Sequence, residues 1–439
     1  MKIAKSIRFS SIVFSFLAAA CVFAQEKVPV TTIKVLTDKP DALYEKGETV
    51  KFSVTLMDDD KAVPGKKLTY SLLGDGLDTK SGVIETTGEA SVIQTKLDRP
   101  GFILLNVSYD LNGKSIKGVG GAGINPLEIK AGVKEPDDFD KFWNNQKAEL
   151  AKIPMNPKLE PVTLPETQKN KIECFDVKID CAGDMPVSGY FAKPVNAVKG
   201  SLPIIISYHG AGVRSSGKPL WYAEKGMLAL DINAHGIENG KPEEFYKELN
   251  SGKLKDYRSF EAGSIEKIYF KGMFLRVIRS IEFMKSQPEW DGKTLIVIGG
   301  SQGGAQALVA AGLDKQVTFC VAYVPAMCDH YGLLANQQNG WPRFIKIKDG
   351  KPENADIAKT VQYYDAAVFA KKIKAEVLMT AGFIDATCPP TSVYAAYNNI
   401  SSKKEMLNNP LLGHTVSKEN SAYAVKKIDE HIKMMKEAK

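Results

Sequence analysis

The segment Gly299-Gly300-Ser301-Gln302-Gly303-Gly304 has the residue types of a nucleophile held in a sharp turn. It follows the apolar run 294–298, which predicts a buried strand, and it precedes residues 305–311, which favour a helix. A glycine turn between strand and helix can hold a serine hydroxyl at the helix N-terminus, where free N–H groups stabilise developing negative charge. Ser301 is therefore the predicted nucleophile.

The same turn taken alone has other interpretations. A glycine-rich turn before a helix can bind a phosphate, but a P-loop would also carry Lys followed by Ser or Thr, which this segment lacks. A dinucleotide-binding turn would follow the first strand of its domain, whereas this turn begins at residue 299 of 439. A structural turn with an incidental serine is the alternative that the hexapeptide by itself leaves open.

Two acid–base residues later in the chain favour a catalytic serine over a structural turn. Asp385 follows the predicted strand 376–381, and His414 follows the short apolar segment 405–407. Taken singly, an aspartate before prolines is usually a turn former and a lone histidine is usually structural. The chain order of Ser301, Asp385 and His414, each at a strand end, is that of the α/β-hydrolase triad. His414 would take the proton of Ser301, and Asp385 would orient and stabilise the imidazole.

Two backbone N–H groups are the predicted oxyanion donors. Gln302 directly follows the nucleophile, and Ala211 lies in a glycine-containing loop after the predicted strand 202–208. His209, in the same loop, is interpreted as a side chain that braces it.

Three side chains are predicted to contact the substrate: Tyr208 at the end of strand 202–208, His235 after another predicted strand, and Trp341 in an aromatic segment that would form a sugar-contacting lid. For Trp341, which belongs to an aromatic segment with Tyr331 and Phe344, packing in the core is an equal explanation. Asp329-His330 has no partner ligands nearby in the sequence, so no metal and no cofactor are predicted.

The elements that must position these residues alternate between strands and helices. Near-continuous apolar strands separated by helices predict a mostly parallel sheet covered on both faces, an α/β-hydrolase fold over residues 131–439. The predicted strands are 172–179, 186–193, 202–208, 227–232, 296–301, 317–323 and 376–381, and the predicted helices are 136–152, 272–287 and 422–436. In such sheets ligands bind at the carboxyl ends of the strands, where the candidate residues lie.

Residues 25–130 have a different pattern. Short strand-like runs recur between turns rich in Asp, Gly, Lys and Pro: 31–36, 49–56, 68–73, 90–95 and 101–109. This spacing predicts a small all-β, immunoglobulin-like sandwich in front of the α/β domain. The module contains no histidine and no cysteine, so no catalytic residue is expected from it.

The first 24 residues have the pattern of a secretory signal peptide. Lys2, Lys5 and Arg8 precede the apolar run 12–20, which is too short for a membrane span, and Ala24 ends a suitable cleavage site. The expected mature protein is exported, periplasmic or secreted. Cys21 after three alanines faintly resembles a lipoprotein site, so a lipid-anchored form is the minority alternative.

Composition excludes some partners. Removing the three cations of the signal peptide lowers the formal charge of +7 to +4, which is too weak and scattered to indicate nucleic acid or an anionic membrane.

Cleavage would leave five cysteines, of which Cys174 and Cys181 are near enough in sequence for a local disulfide, while Cys320 fits a buried free thiol.

From about residue 136 onward the chain resembles the acetyl xylan esterases and cephalosporin C deacetylases of carbohydrate esterase family seven. The matching stretches are the entry segment 138–143, the Tyr208-His209-Gly210 loop, the serine hexapeptide, the Asp-x-x-x-Pro-Pro segment 385–390, and Val393-Tyr394-Ala395-Ala396-Tyr397-Asn398. The resemblance implies a serine esterase that removes acetyl groups from xylo-oligosaccharides or other small acetylated carbohydrates.

The chain departs from the family pattern at several positions. The family commonly has Arg-Gly-Gln-Gly where this chain has Asn233-Ala234-His235-Gly236, glutamate where it has Thr415, and tyrosine at Ala211. These differences leave the predicted triad intact and leave open both the substrate and the family's ring-like homo-oligomer. Two other functions stay open from the sequence: a serine peptidase of the prolyl-oligopeptidase type, whose N-terminal propeller would be far larger than this module, and a non-catalytic binding protein.

Overall fold

A computed structural model describes residues 30–75 and 78–438. The predicted signal peptide lies outside these residues. Among the helices that are described, none is both long and apolar enough to cross a membrane.

Within the described residues 30–75 and 78–124, the chain forms nine strands and no α-helix. The strands are β1 (Thr31–Thr37), β2 (Leu43–Tyr44), β3 (Val50–Asp58), β4 (Lys61–Ala62), β5 (Lys67–Gly74), β6 (Asp78–Glu85), β7 (Ser91–Thr95), β8 (Gly101–Leu111) and β9 (Lys114–Ile124). In one sheet β3 pairs with β1, β4 and β7, and the other has the order β2-β9-β8-β5-β6. We call this part the β domain.

Strand β3 shows why this part of the chain folds as two facing sheets. Val50, Phe52, Val54 and Leu56 alternate with more exposed residues and are at most 1% exposed. Side chains two apart point to the same face of a strand, so this pattern buries one face of the sheet. These residues share a core with side chains of the second sheet, such as Leu105.

The described residues from 125 to 438 form eleven strands and ten α-helices. The strands are β10 (Lys158–Pro161), β11 (Ile172–Ile179), β12 (Val187–Pro194), β13 (Leu202–Tyr208), β14 (Leu228–Ile232), β15 (Trp290–Gly300), β16 (Phe319–Tyr323), β17 (Ile347–Lys348), β18 (Lys351–Pro352), β19 (Glu376–Gly382) and β20 (Lys404–Asn409). The helices are α1 (Phe139–Ala151), α2 (Glu166–Lys169), α3 (Leu220–Glu224), α4 (Glu243–Ser251), α5 (Tyr269–Lys285), α6 (Gln302–Leu313), α7 (Ala355–Val361), α8 (Ala366–Ala370), α9 (Pro390–Asn399) and α10 (Lys418–Glu437).

Nine of these strands form one mixed sheet in the order β10-β11-β12-β14-β13-β15-β16-β19-β20. Six of these strands run parallel: β14, β13, β15, β16, β19 and β20. The other three, β10, β11 and β12, pair antiparallel at one edge. The serine turn follows β15, at the centre of the parallel part. The α/β architecture predicted for residues 131–439 is confirmed.

Strand β13 separates the two layers of core. Ile204, Ile206 and Tyr208 face the larger core, which includes α5 and α6, whereas Ile205 faces the core under α10. Helices therefore cover both faces of the sheet, as a largely parallel sheet requires.

All five described cysteines are free and buried. Cys174 packs in a small cluster near α3, whereas Cys181 belongs to the main core, so the two thiols that a local disulfide would join lie in different clusters.

Candidate active site

Ser301 lies at a strained turn between β15 and α6. Its backbone has φ 56° and ψ −123°, which a non-glycine residue adopts only when its surroundings hold it there. The Ser301 N–H donates to the Tyr323 carbonyl at 2.9 Å, and the Ser301 carbonyl accepts from Ala326 at 2.9 Å. The neighbouring strand and segment thus hold the turn on both sides.

The glycines of the hexapeptide are required by close backbone approach. A Cβ on Gly303 would lie 2.0 Å from the Tyr208 carbonyl oxygen, and one on Gly299 would lie 2.2 Å from the Gly303 oxygen. Any side chain at either position would push helix and strands apart, which explains the residue types seen in the sequence.

The structure brings Ser301, His414 and Asp385 into one hydrogen-bonded chain. His414 Nε2 lies 2.9 Å from Ser301 Oγ, and His414 Nδ1 lies 2.7 Å from Asp385 Oδ2. The Asp385 side chain is fully buried, whereas that of His414 is 29% exposed. An imidazole so placed can accept the serine proton while the carboxylate holds its other nitrogen.

Asp385 is fixed by the loop that carries it, residues 382–390, which we call the acid loop. Its Oδ1 accepts the backbone N–H groups of Thr387 at 2.8 Å and Cys388 at 2.9 Å. Oδ2 is thereby left to face His414. No role was predicted for Thr387 and Cys388, although a turn in which an aspartate side chain accepts from later N–H groups is a known local motif.

Cys388 lies against the same cluster. Burial raises the pKa of its thiol, so it is a poor nucleophile. The atoms of Asp385, Cys388 and His414 that could ligate a metal ion lie within 4.8 Å of one another. Since Asp385 and His414 are already bonded to each other, this grouping is part of the triad arrangement.

The two predicted oxyanion donors belong to segments that adjoin Ser301. Gln302 begins α6, so its N–H has no acceptor within the helix. Gly210 lies beside the nucleophile, because a Cβ there would be 3.5 Å from the Ser301 Cβ. Ala211, which is exposed, follows it in the loop of residues 209–214, which we call the oxyanion loop.

Two histidines brace the oxyanion loop: His209, which is half-buried, and His235, which is buried. His209 Nε2 accepts the Ala234 N–H at 3.1 Å, and its Nδ1 lies 2.6 Å from the Gly210 carbonyl. His235 Nε2 lies 3.2 Å from the Gly212 carbonyl. Burial lowers the pKa of His209 to about 4 and that of His235 to about 3, so both rings are neutral at pH 7.

The three predicted substrate contacts fare differently. Tyr208 is 2% exposed and its hydroxyl is in the main core near Ser280, so the side chain points away from the site and the prediction is corrected. His235 is 1% exposed and bonded to Tyr269 at 2.7 Å, so it positions the oxyanion loop and does not touch substrate. Trp341 is partly exposed and packs edge-on against Phe270; its contact with substrate stays a prediction.

The site also includes two polar side chains that the sequence analysis did not single out. The Tyr257 hydroxyl donates to Gln302 Oε1 at 2.6 Å, which anchors the side chain next to the nucleophile. Arg343 donates to the Ala386 carbonyl of the acid loop at 2.5 Å. Both contacts join segments distant in sequence, for which no local pattern exists.

Replacing His235 by glutamine is expected to make folding less sensitive to acid. Because the pKa of His235 is lowered from 6.5 to about 3 on folding, the unfolded chain binds more protons between these values, and stability falls as pH drops below 6.5. Glutamine does not titrate and can still donate to Gly212. The loss of unfolding free energy from pH 7 to pH 5 should be smaller by about 2 kcal/mol in the variant. Denaturant titrations at both pH values measure it; equal losses would contradict it.

The mixed sheet with a serine at the central strand-to-helix turn defines the chain as an α/β hydrolase. Residues 127–429 match the family described as Acetyl xylan esterase (AXE1), and the chain belongs to this family. It is therefore a carboxylic ester hydrolase, as the sequence predicted.

Individual relatives agree with this family. The chain is similar to the acetyl esterase Axe7A of Xylanibacter ruminicola, with 33% identity over 390 residues that cover 87% of this chain and 86% of the relative. Among solved structures it is similar to the acetyl xylan esterase of Paenibacillus sp. R4, with 29% identity, a TM-score of 0.59, and coverage of 70% of this chain and 98% of that one. Acetyl xylan esterase 1 of Thermoanaerobacterium sp. JW/SL YS485 has 25% identity and a TM-score of 0.57, covering 70% and 97%.

Proposed function

We propose that the protein is an exported serine carboxylesterase that removes acetyl groups from acetylated carbohydrates, xylo-oligosaccharides or similar compounds. The observation that carries the proposal is the hydrogen-bonded chain from Ser301 through His414 to Asp385, in a member of the acetyl xylan esterase family. The names of the relatives support acetyl esters as substrates.

In the first half of the reaction Ser301 Oγ attacks the acetyl carbonyl as His414 Nε2 takes its proton. The imidazolium that forms is stabilised by the Asp385 carboxylate at Nδ1. Negative charge develops on the carbonyl oxygen, and the N–H groups of Gln302 and Ala211 stabilise it, aided by the N-terminus of α6. His414 then returns the proton to the sugar hydroxyl as the C–O bond breaks, which leaves an acetyl-enzyme.

The second half repeats these roles with water. His414 takes a proton from water, whose oxygen attacks the acetyl-enzyme carbonyl, and the same two N–H groups hold the oxyanion. Collapse of the intermediate releases acetate and returns the proton to Ser301. The chemistry needs no group beyond the side chains and backbone described.

A substrate series tests the proposal. Acetate release from acetylated xylo-oligosaccharides is expected to exceed hydrolysis of long-chain p-nitrophenyl esters at equal concentration, and peptidyl amides should not be cleaved. Rapid cleavage of short esters without acetate release from the sugars would mean a different acetylated small molecule as substrate. Cleavage of the amides would instead support the peptidase alternative, against which the compact two-sheet β domain also argues.

Export and domain organisation complete the proposal. The cationic start and apolar run of residues 1–24 support secretion to the periplasm or medium, and N-terminal sequencing of the mature protein should begin at Gln25. We assign residues 25–130 to an immunoglobulin-like sandwich and 131–439 to the catalytic domain. Whether the chain forms a homo-oligomer is answered by light scattering.

A further inference from the structure

The β domain packs directly against the acid loop, backbone on backbone. A Cβ on Gly121 of β9 would lie 2.5 Å from the Phe383 carbonyl oxygen and 2.8 Å from its carbon. Phe383 is two residues before Asp385 and is 1% exposed. With no side chain between the two backbones, a displacement of β9 must move the acid loop.

On its other side the acid loop abuts the loop that carries His414. A Cβ on Gly382 would lie 2.4 Å from the Gly413 carbonyl oxygen and 2.5 Å from that of Leu412. The Ile384 N–H also donates to Leu412 at 3.3 Å. The acid loop is thus held between a strand of the β domain and the loop that supplies the base.

Aromatic packing extends the contact. The Phe102 ring of β8, which is 4% exposed, lies 5.0 Å from the Phe383 ring in an edge-to-face arrangement and 5.6 Å from that of Tyr394 in α9. Such pairs add to the free energy of burying the rings, and their geometry fixes the angle between the partners.

The interface between the β domain and the segment around the acid loop also contains a buried polar contact. Asp75, directly after β5, is 1% exposed and accepts the hydroxyl of Thr391, in the first turn of α9 after the acid loop. Its other oxygen lies 3.5 Å from Arg99. Burial raises the pKa of Asp75 to about 6, against the opposing effects of the Thr391 hydroxyl and the Arg99 charge. A buried polar group of this kind favours one arrangement of the two parts, because a shift that keeps it buried but moves Thr391 away would leave it unpaired.

We propose that the β domain is a positioning element of the active site, in which Gly121, Phe102 and Asp75 hold the acid loop so that Asp385 stays bonded to His414. The inference rests on the proposed triad. The matched family region begins at residue 127, so this support comes from a part of the chain outside it. These three are positioning residues, since none touches substrate.

Two adjacent glycines of β9 provide a matched test. Gly121→Ala adds a methyl group against the acid-loop backbone, whereas Gly120→Ala adds one on the opposite face, 2.5 Å from Val35 Cγ1 inside the β domain. Both variants should lose stability. Only Gly121→Ala should lower kcat, by about 10²-fold, as expected for a misplacement of about 1 Å.

Kinetics per active site separate positioning from loss of folded enzyme. With enzyme concentration set by fluorophosphonate titration and p-nitrophenyl acetate as substrate, Gly121→Ala should change kcat with little change in KM. The acidic limb of its kcat/KM profile should move to lower pH, because a displaced Asp385 stabilises the imidazolium less. Equal kcat values and unmoved limbs for the two glycine variants would overturn the proposal.

A second pair covers the case in which Gly121→Ala does not fold. Phe102→Leu trims the ring that contacts Phe383, and Phe52→Leu trims a buried ring inside the β domain alone. Phe102→Leu should lower kcat per active site several-fold more than Phe52→Leu; no difference would overturn the proposal. An error in the proposed triad gives a different result, because the Ser301→Ala protein would then have the activity of the wild type.

Discussion

Replacement of Ser301 by alanine is expected to lower kcat/KM for acetyl esters by about 10⁶-fold, the scale seen when a triad nucleophile is removed. The loss is that large because Ser301 Oγ is the atom that forms the acyl-enzyme and it already lies 2.9 Å from His414 Nε2. The measurement is acetate release with and without the substitution, together with labelling by a fluorophosphonate.

Ser251→Ala is the matched control, since its hydroxyl, at the end of α4, bonds only to the Lys247 and Glu248 carbonyls of its own helix. It should label and turn over as the unmodified protein does. Residual turnover of Ser301→Ala near the wild-type rate would refute the triad. Absence of labelling in the unmodified protein, with no turnover of any ester, would favour a binding protein on a hydrolase scaffold.

Residues of the active site were predictable where local sequence carries the geometry. The serine turn was recognisable because the close approach of backbone atoms at Gly299 and Gly303 excludes side chains. Only glycine fits there, so the residue types indicate the conformation. Asp385 and His414 were recognisable because parallel strands bring their carboxyl ends to one edge, so strand position predicts proximity.

The errors at Tyr208 and His235 concern side-chain direction. Both follow or end a strand near the site, but alternation along β13 puts Tyr208 on the face of Ile204 and Ile206, in the core. That alternation is visible in the sequence once the buried face is known. His235 is turned inward by its bonds to Tyr269 and Gly212, contacts for which the sequence offers no signal.

The contribution of the β domain was not predictable. Strand β9 contains four glycines, which are poor strand formers, and no strand was predicted there. Its glycines at positions 118 and 120 face β1, whereas Gly121 faces the acid loop. The Asp75–Thr391 contact spans 316 residues, and nothing in the sequence near either residue indicates it.

Asp385→Asn is expected to lower kcat by about 10⁴-fold at neutral pH with little change in KM. Asparagine keeps Oδ1, so the loop can still accept the N–H groups of Thr387 and Cys388 and the fold should survive. Its amide would instead donate to His414 Nδ1, which forces the proton onto Nε2 and removes the acceptor that Ser301 needs. The expected loss of activity therefore comes from the wrong tautomer of His414. Steady-state kinetics with p-nitrophenyl acetate measure it.

The control for charge is Asp314→Asn, which removes an ion pair with Lys285 beyond the end of α6 and should leave kcat unchanged. A loss below tenfold in Asp385→Asn would mean that His414 is oriented by another group. A combined Gly121→Ala and Asp385→Asn protein should be no slower than Asp385→Asn by more than a few-fold, because residues that act through one hydrogen bond are not additive. Additive losses would show that β9 acts on the site by a route other than Asp385.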